Sequence, residues 1–418
     1  MRNRSLALAT WGLFVGLALL MLAGGLSGTL VGIRGEQVGL PTAVSSMISA
    51  SYYIGFLVGS SLTLTALGRV GHIRVYAALA SLLSASIVAI GITVDAPSWA
   101  VLRLCAGLCT AGVYVVAESW LNDLASNANR GRLLAVYNVV AVACVGTGQV
   151  FVSVFDARVV TGYAVAAILT SLAVAPVSLS EAAVAPALEE AEHISLRQLA
   201  RTVPSGVGSC LLIGVAHGAM AGMVAVYATR VGLSVTAIGL LVALLSVGGV
   251  LLQWPIAAAS DDLDRRAVGF AAAGGAGAVA ALLTLGSPDH VVAFVLTALL
   301  GGLSWPLYAI ASSYTNDWIE PQFVNAAASQ LIKLYGLGAV VGPFVAAGSM
   351  IVFGTEGFLW AVAGLHGLVA AFFLYRMIVW RAPLAKRPWS EVSLPARAFF
   401  VPATIIAVTR RAARRASR

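Results

Sequence analysis

Apolar segments of transmembrane length fill this chain almost end to end, and short landmarks in its first half return about 193 residues later. Val38-Gly39-Leu40 reappears as Val231-Gly232-Leu233, and Gly68-Arg69-Val70-Gly71-His72 has its counterpart in Asp261-Asp262-Leu263-Asp264-Arg265. Asn122-Asp123 returns as Asn316-Asp317, at a spacing of 194. A duplicated membrane domain is the simplest reading. Duplicated helical halves are how many secondary transporters build a site between two bodies that rock around it, so the repeat points toward solute movement.

Composition supports the membrane reading. Hydrophobic residues make up 60% of the chain and charged ones only 10%, with a mean hydropathy of +0.93. A soluble protein of this length needs far more charge on its surface. The 43 glycines fit, because membrane helices approach through small residues, and Gly12/Gly16, Gly55/Gly59 and Gly338/Gly342 have the four-residue spacing of such contacts. Cys105, Cys109, Cys144 and Cys210 lie in apolar stretches with no His or carboxylate at metal-ligand spacing, so they read as small buried hydrophobes. Met1-Arg2-Asn3-Arg4 precedes an apolar run too long for a signal-peptide core, which predicts a retained first helix.

A hydrocarbon core of about 30 Å takes around 20 apolar residues per helix, and on that rule the chain holds twelve spans. They run near 10–32, 45–66, 75–94, 99–121, 133–154 and 162–179, then near 206–230, 236–259, 267–285, 291–313, 326–352 and 358–380. Residues 1–179 form an N-terminal half, 180–205 a central loop, 206–380 a C-terminal half and 381–418 a basic tail. One side of the membrane receives 19 Lys and Arg and the other only Arg34, Arg158 and Arg230, which puts both termini in the cytoplasm. The net charge of +8 is thereby a topology signal and gives no reason to expect a nucleic-acid partner. In the central loop, 193–201 has the pattern of a short amphipathic helix at the membrane surface. In the tail, 398–406 is too short to span. Arg410, Arg411, Arg414, Arg415 and Arg418 follow it, as an anchor to anionic lipid or as a disordered end.

Six plus six spans, a long central loop and basic loops after the second and eighth spans resemble the major facilitator superfamily, over nearly the whole chain. The family's motif between spans 2 and 3 survives from Leu64 to Ile73 only at Arg69 and Gly71, while Ala257 to Arg266 keeps the acid and the paired arginines. Ala117-Glu118-Ser119-Trp120-Leu121-Asn122-Asp123, leading to Arg130-Gly131-Arg132, and Arg69-Val70-Gly71-His72-Ile73-Arg74 are similar to the YcaD-type bacterial members. Arg103, with Gly107 and Ala111 at four-residue intervals, resembles the span-4 motif whose arginine is tied to proton coupling in drug-exporting relatives. The resemblance implies an all-α membrane protein of twelve helices, working by alternating access in a bacterial inner membrane, as a monomer and without a cofactor.

Charges inside the spans are few, and each is expensive in hydrocarbon. Glu118 is the one acid placed within a span. It either joins Arg69, Arg74 and Arg132 in a salt-bridge cluster closing the cytoplasmic side or carries the coupling proton. Asp261, Arg265, Arg266 and Asp317 form the corresponding group of the second half, as a latch or as solvated loop charges. Arg103 and Lys333 lie within spans with no acid but Glu118 to offset them, which makes the cavity positive and favours an anionic or zwitterionic solute unless both snorkel. His217 is the in-span group suited to titrate near neutrality, or a packing residue; His366 falls in the outer scaffold.

Further candidates to line the cavity are Asn138, Gln149, Gln253, Trp254, Trp305, Tyr308 and Gln330, with Trp-Pro at 254–255 and 305–306 marking kinks near a site. No phosphate-binding G-x-x-x-x-G-K-[ST] occurs, which excludes a self-contained ATP-driven pump. An intramembrane enzyme needs paired acids, a metal cluster or a Ser/His couple at one depth, and the spans offer none of these patterns. The reading is a proton-coupled secondary transporter, with multidrug efflux as the alternative and a non-transporting solute sensor as a remote one.

Overall fold

The computed structural model describes residues 2–124, 130–179, 194–287, 290–320 and 323–379. Within them the first half forms α1 (Arg2–Gln37), α2 (Thr42–Val70), α3 (His72–Ile92), α4 (Ala96–Leu124), α5 (Arg130–Phe151) with a short 3-10 extension, α6 (Thr161–Leu172) and α7 (Val174–Leu179). After α8 (Leu196–Thr202) come α9 (Pro204–Arg230), α10 (Val235–Asp262), α11 (Arg265–Leu283), α12 (Val291–Ser304), α13 (Leu307–Asn316), α14 (Val324–Phe353) and α15 (Gly357–Val379). Each expected span has its helix. Eleven helical stretches are long and apolar enough to cross a bilayer, and Val139–Val154 supplies a shorter one. The central loop up to His193, the basic tail and the side chains of Asn122, Asp123, Arg130, Arg132 and Asn138 lie outside the described residues.

The repeated Val-Gly-Leu landmark is a helix stop. Gly39 and Gly232 both have positive φ, 75° and 80°. In each copy the following leucine N–H reaches back five residues, Leu40 to the Gly35 carbonyl and Leu233 to the Ala228 carbonyl. That is the Schellman closure, and only glycine takes the left-handed position without strain. The duplication therefore begins as one turn geometry used twice.

Glycine also sets how the helices pack. Gly55 and Gly59 on α2 lie against the Leu104 and Leu108 carbonyls of α4, and Gly107 of α4 answers at Tyr52. In the second half Gly338 and Gly342 of α14 rest on the backbone of α9 at Leu211 and Val215, and Gly214 and Gly218 of α9 rest on α14. A side chain at any of these would strike backbone. Close backbone approach through small residues replaces the hydrophobic drive that lipid cannot supply.

Two compact units result, one comprising Met1–Glu189 and Ala225–Ala243, the other Glu190–Val224 and Leu244–Arg418. They do not follow the duplication, because the α9–α10 hairpin of the second half groups with the first unit. Where α1 ends, that unit is pinned by Arg34, which lies in the helix rather than in the loop. Its Nη1 donates to the Gly91 carbonyl at 2.7 Å and to the Ile90 carbonyl at 3.3 Å, and its guanidinium stands over Trp99 and Tyr163. Those carbonyls end α3, where helix geometry leaves them unpaired and negative.

The tenth span is broken. Proline has no N–H and its ring clashes with the carbonyl a turn back, and at Pro306 the helix divides into α12 and α13. Pro255 and Pro343 are instead carried inside continuous helices. The amphipathic pattern near 193–201 becomes α8, capped by the Ser195 hydroxyl accepting from the Gln198 N–H and held to the second unit's core by fully buried Leu199.

Forcing a β-branched residue into the left-handed position costs on the order of 1–2 kcal/mol. Gly232→Val is expected to lower the melting temperature of the detergent-purified protein by several degrees. Gly286→Val, where φ is ordinary and nothing lies within 4 Å of the added carbon, leaves it unchanged.

Candidate functional site

In the first unit, α4 carries Arg103 two turns in from its outer end, against the aromatic face of α2. The guanidinium carbon lies 4.4 Å from the Tyr52 ring centroid. Tyr52 meets Tyr53 edge-on at 5.7 Å and Phe56 at 6.3 Å, and Phe56 continues the array to Tyr114. A cation over such a ring is held by the ring quadrupole, yet Arg103 has no carboxylate or carbonyl partner among the described residues, and its Nε is buried without one. Lower on α4, Glu118 is 5% exposed. Beside it Ser119 pairs with His72 Nε2 at 3.1 Å, and Trp120 packs on the same imidazole. The two stretches that resembled the YcaD-type members thus meet where α3 begins and α4 ends. Arg69 and Arg74 are exposed there.

In the second unit, buried His217 on α9 uses both ring nitrogens. Its Nε2 donates to the Ser304 carbonyl at 3.0 Å, the group freed by the break in the tenth span, and its Nδ1 faces the Tyr335 hydroxyl at 3.0 Å. The Ser304 hydroxyl faces His366 Nε2 at 2.7 Å, and His366 Nδ1 donates to the Val362 carbonyl. Because carbonyls only accept, Nε2 of His217 and Nδ1 of His366 must each carry a proton, while the hydroxyls facing the other two nitrogens can give or take one. His366, assigned above to the outer scaffold, is therefore joined to His217 through Ser304.

The other candidates of that unit separate by environment. Trp305 stacks on His217 at 4.7 Å and donates its N–H to the Leu245 carbonyl. Tyr308 meets Tyr335 edge-on at 5.1 Å, and its buried hydroxyl has no partner. Gln253 is 2% exposed with both amide atoms unpartnered. Trp254 next to it is 55% exposed and points away from that interior. Gln330 donates to the Ile194 carbonyl and so fastens the segment leading into α8. Lys333 is exposed, on the α14 face shared by Ser329 and Leu337. Gln149 of α5 belongs to the first unit, where its carbonyl faces Gly239.

Where α10 ends and α11 begins in the second unit, the charges are buried rather than solvated. Arg265, 1% exposed, donates from Nε to Asp317 at 2.7 Å and from Nη1 to the Ser260 hydroxyl and to Asp261 at 3.3 Å. Arg266 takes Asp264 at 2.7 Å and the Arg376 carbonyl at 2.9 Å, over the Tyr314 ring. Asp264 caps α11 through the Arg266 N–H, and Arg376 donates to the Ser205 hydroxyl. Five helices are tied together there. Among the described residues no three His, Cys, Asp or Glu converge as metal ligands.

Comparison with known proteins agrees with this architecture. The Major Facilitator Superfamily model matches residues 206–415. The MFS-type transporter YcaD of Salmonella typhimurium is 31% identical over 344 residues, 80% of this chain and 87% of the relative. The chain belongs to the major facilitator superfamily. Among solved structures, a variant of the nucleoside transporter NupG superposes with a TM-score of 0.76 at 12% identity, covering 88% of this chain and all of that one. An inward-facing, occupied bacterial homologue of the lysosomal transporter Spinster gives 0.69 at 14% identity, covering 91% and 98%. At such identities the likeness is one of fold.

Membership of the superfamily makes the chain a multi-pass membrane transporter and not an enzyme. Against that background the structure adds residues that sequence reasoning missed. Ser304 and His366 complete the chain through His217, and Glu36, Thr42 and Arg230 form a further cluster. Arg230 Nε donates to Glu36 at 2.6 Å and its Nη1 to the Thr42 hydroxyl at 2.7 Å.

Removing one partner of a buried ion pair leaves the other charge stranded, at about 3–5 kcal/mol. Asp317→Ala is expected to destabilise the purified transporter by that order in a denaturant titration. Asp156→Ala breaks a pair whose side chains are 55–70% exposed and changes nothing measurable.

Proposed function

We propose that this transporter is a secondary active carrier of a small anionic or zwitterionic solute, working by alternating access in a bacterial inner membrane with both termini cytoplasmic, and driven by protons. The observation that carries the solute class is Arg103. Among the described residues the buried arginines all have hydrogen-bonding partners, Arg34 two carbonyls, Arg265 two aspartates, Arg266 Asp264 and Arg376 Ser205, whereas Arg103 is partly buried. Arg103 has only the face of Tyr52. A cation kept in a span without an acid is favourable when an anion visits it, and its planar donors suit a carboxylate or phosphate. The aromatic array beside it accepts an apolar body attached to that anion.

Glu118, buried on the same helix, is the candidate for the coupling proton. Solute binding to Arg103 and proton binding to Glu118 on one rigid helix gives the two events a common element. The lipid bilayer and a small solute are the partners this reading needs, and the transporter acts as a monomer.

The test is a thermal-shift screen in detergent with carboxylates, phosphates, sugars, amino acids and cationic dyes at two pH values. An anion is expected to stabilise the protein, and Arg103→Ala to weaken its apparent Kd about ten- to a hundredfold, the loss of a charge-assisted hydrogen bond. Stabilisation by the dyes alone overturns the anion reading in favour of drug efflux. With the anion identified, Glu118→Gln in proteoliposomes is expected to abolish accumulation driven by a proton gradient while exchange of solute across the membrane continues. Accumulation that survives the substitution places Glu118 in a purely structural cluster.

A further inference from the structure

Beside Arg103 stands a wall of four aromatic rings, Tyr52, Tyr53, Phe56 and Tyr114. The helices that carry it run in backbone contact. A side chain added at Gly55 or Gly59 would strike the Leu104 or Leu108 carbonyl, and one added at Gly107 the Tyr52 carbonyl. Three such contacts fix how α2 and α4 lie against each other, so the rings are held in place before a solute arrives. Tyr53 and Phe56 are buried, whereas Tyr52, Tyr114 and Arg103 are only partly so and can be reached. Phe56 lies 6.3 Å from Tyr52 and 6.2 Å from Tyr114, and thus joins the two open rings into one array. Arg103 and Tyr114 are separated by 11 residues, close to three turns, and so share one face of α4.

We propose that Arg103, Tyr52 and Tyr114 bind an aryl-substituted monocarboxylate, with its carboxylate on the guanidinium and its ring against the two tyrosines. One guanidinium supplies one positive charge. A carboxylate cancels it, while a phosphate monoester brings about −1.5 to −2 charges and leaves a surplus in the span. An α-amino acid cancels itself, and its ammonium would then stand beside the guanidinium, where no acid among the described residues pairs with Arg103 to receive it. The ring class follows from the wall. Tyr52 meets Tyr53 at 80° and Phe56 meets Tyr114 at 66°, both edge to face. In that arrangement the positive edge of one ring lies on the negative face of the next. A flat solute ring extends the array with an edge or a face of its own, but a saturated ring of similar area has no quadrupole and gains burial alone.

This inference rests on the anion reading of Arg103 above, and one set of measurements separates the two. Apparent Kd values are measured by thermal shift in detergent at neutral pH for four probes of nearly one size: phenylacetate, cyclohexylacetate, phenylglycine and phenyl phosphate. Phenylacetate is expected to bind about threefold or more tighter than cyclohexylacetate, the increment of an aromatic pair, and about tenfold or more tighter than the other two. Tyr114→Leu is expected to bring the two acids to within about 1.5-fold of each other, chiefly by weakening phenylacetate, because leucine keeps an apolar contact without the quadrupole. Tyr114→Phe, which keeps the ring, keeps the preference. Equal affinities for the two acids in the parent, or a preference that survives both Tyr114→Leu and Tyr52→Leu, overturn the aromatic site; the anion reading still stands if Arg103→Ala weakens both acids. Phenylglycine or phenyl phosphate binding as tightly as phenylacetate overturns the monocarboxylate assignment. If neither acid binds, or Arg103→Ala leaves their binding unchanged, the anion reading falls and this site falls with it.

Discussion

Every charge held in hydrocarbon must be compensated, and that requirement sorts the arginines of this chain into its supports and its exception. Arg34 ends on the last carbonyls of α3, Arg265 between two aspartates, Arg266 on the cap of its own helix, Arg376 on a serine. All four sit where helices end, so charge ties the ends while glycine governs the middles. Arg103 follows neither rule. Its head is stacked on Tyr52 and its Nε is buried, which is not the geometry of a side chain snorkelling outward to the nearer interface. A charge that stays inside without a resident partner is the strongest single pointer to a visiting one.

The duplication shows which features membrane packing preserves and which function lets go. The Gly39 and Gly232 stops are superposable because no other residue fills a left-handed position at so little cost. The charge clusters have diverged. Arg265, Asp261 and Asp317 correspond in register to His72, Gly68 and Asp123. Gly68 removes one acid, and His72 replaces a permanent cation by a ring that bonds to neutral Ser119. The first unit thereby exchanges part of a buried ionic knot for a neutral hydrogen bond next to Glu118.

Span positions were legible because bilayer thickness sets helix length whatever the neighbours. The Arg265–Asp317 pair was legible because both members sit on repeated landmarks. Less local features were not. Trp-Pro occurs at 254–255 and at 305–306, yet only the second interrupts its helix. There the freed Ser304 carbonyl has His217 to receive it, a residue 87 positions earlier in the chain. His366 was assigned to the scaffold by span number alone, which says nothing of the serine across from it. Glu36 and Arg230 are 194 residues apart, and each reads locally as a loop charge that reports topology. For Gln330 and Trp254 the sequence carries no side-chain direction: the first donates to the Ile194 carbonyl before α8, and the second is exposed.

Two ion pairs of similar length, 2.7 Å for Arg265–Asp317 and 2.6 Å for Arg230–Glu36, differ in how far water reaches them. The first is sealed at 0–1% exposure, so separating its members strands both charges and costs several kcal/mol. The second keeps 10–26% exposure, although the Glu36 Oε1 is itself buried without a hydrogen-bond partner, so water reaches only part of the pair and separating it costs less than separating the first but more than an exposed pair. Distance alone does not rank the two pairs; burial does, and by that measure the Arg265 network is the costlier to break.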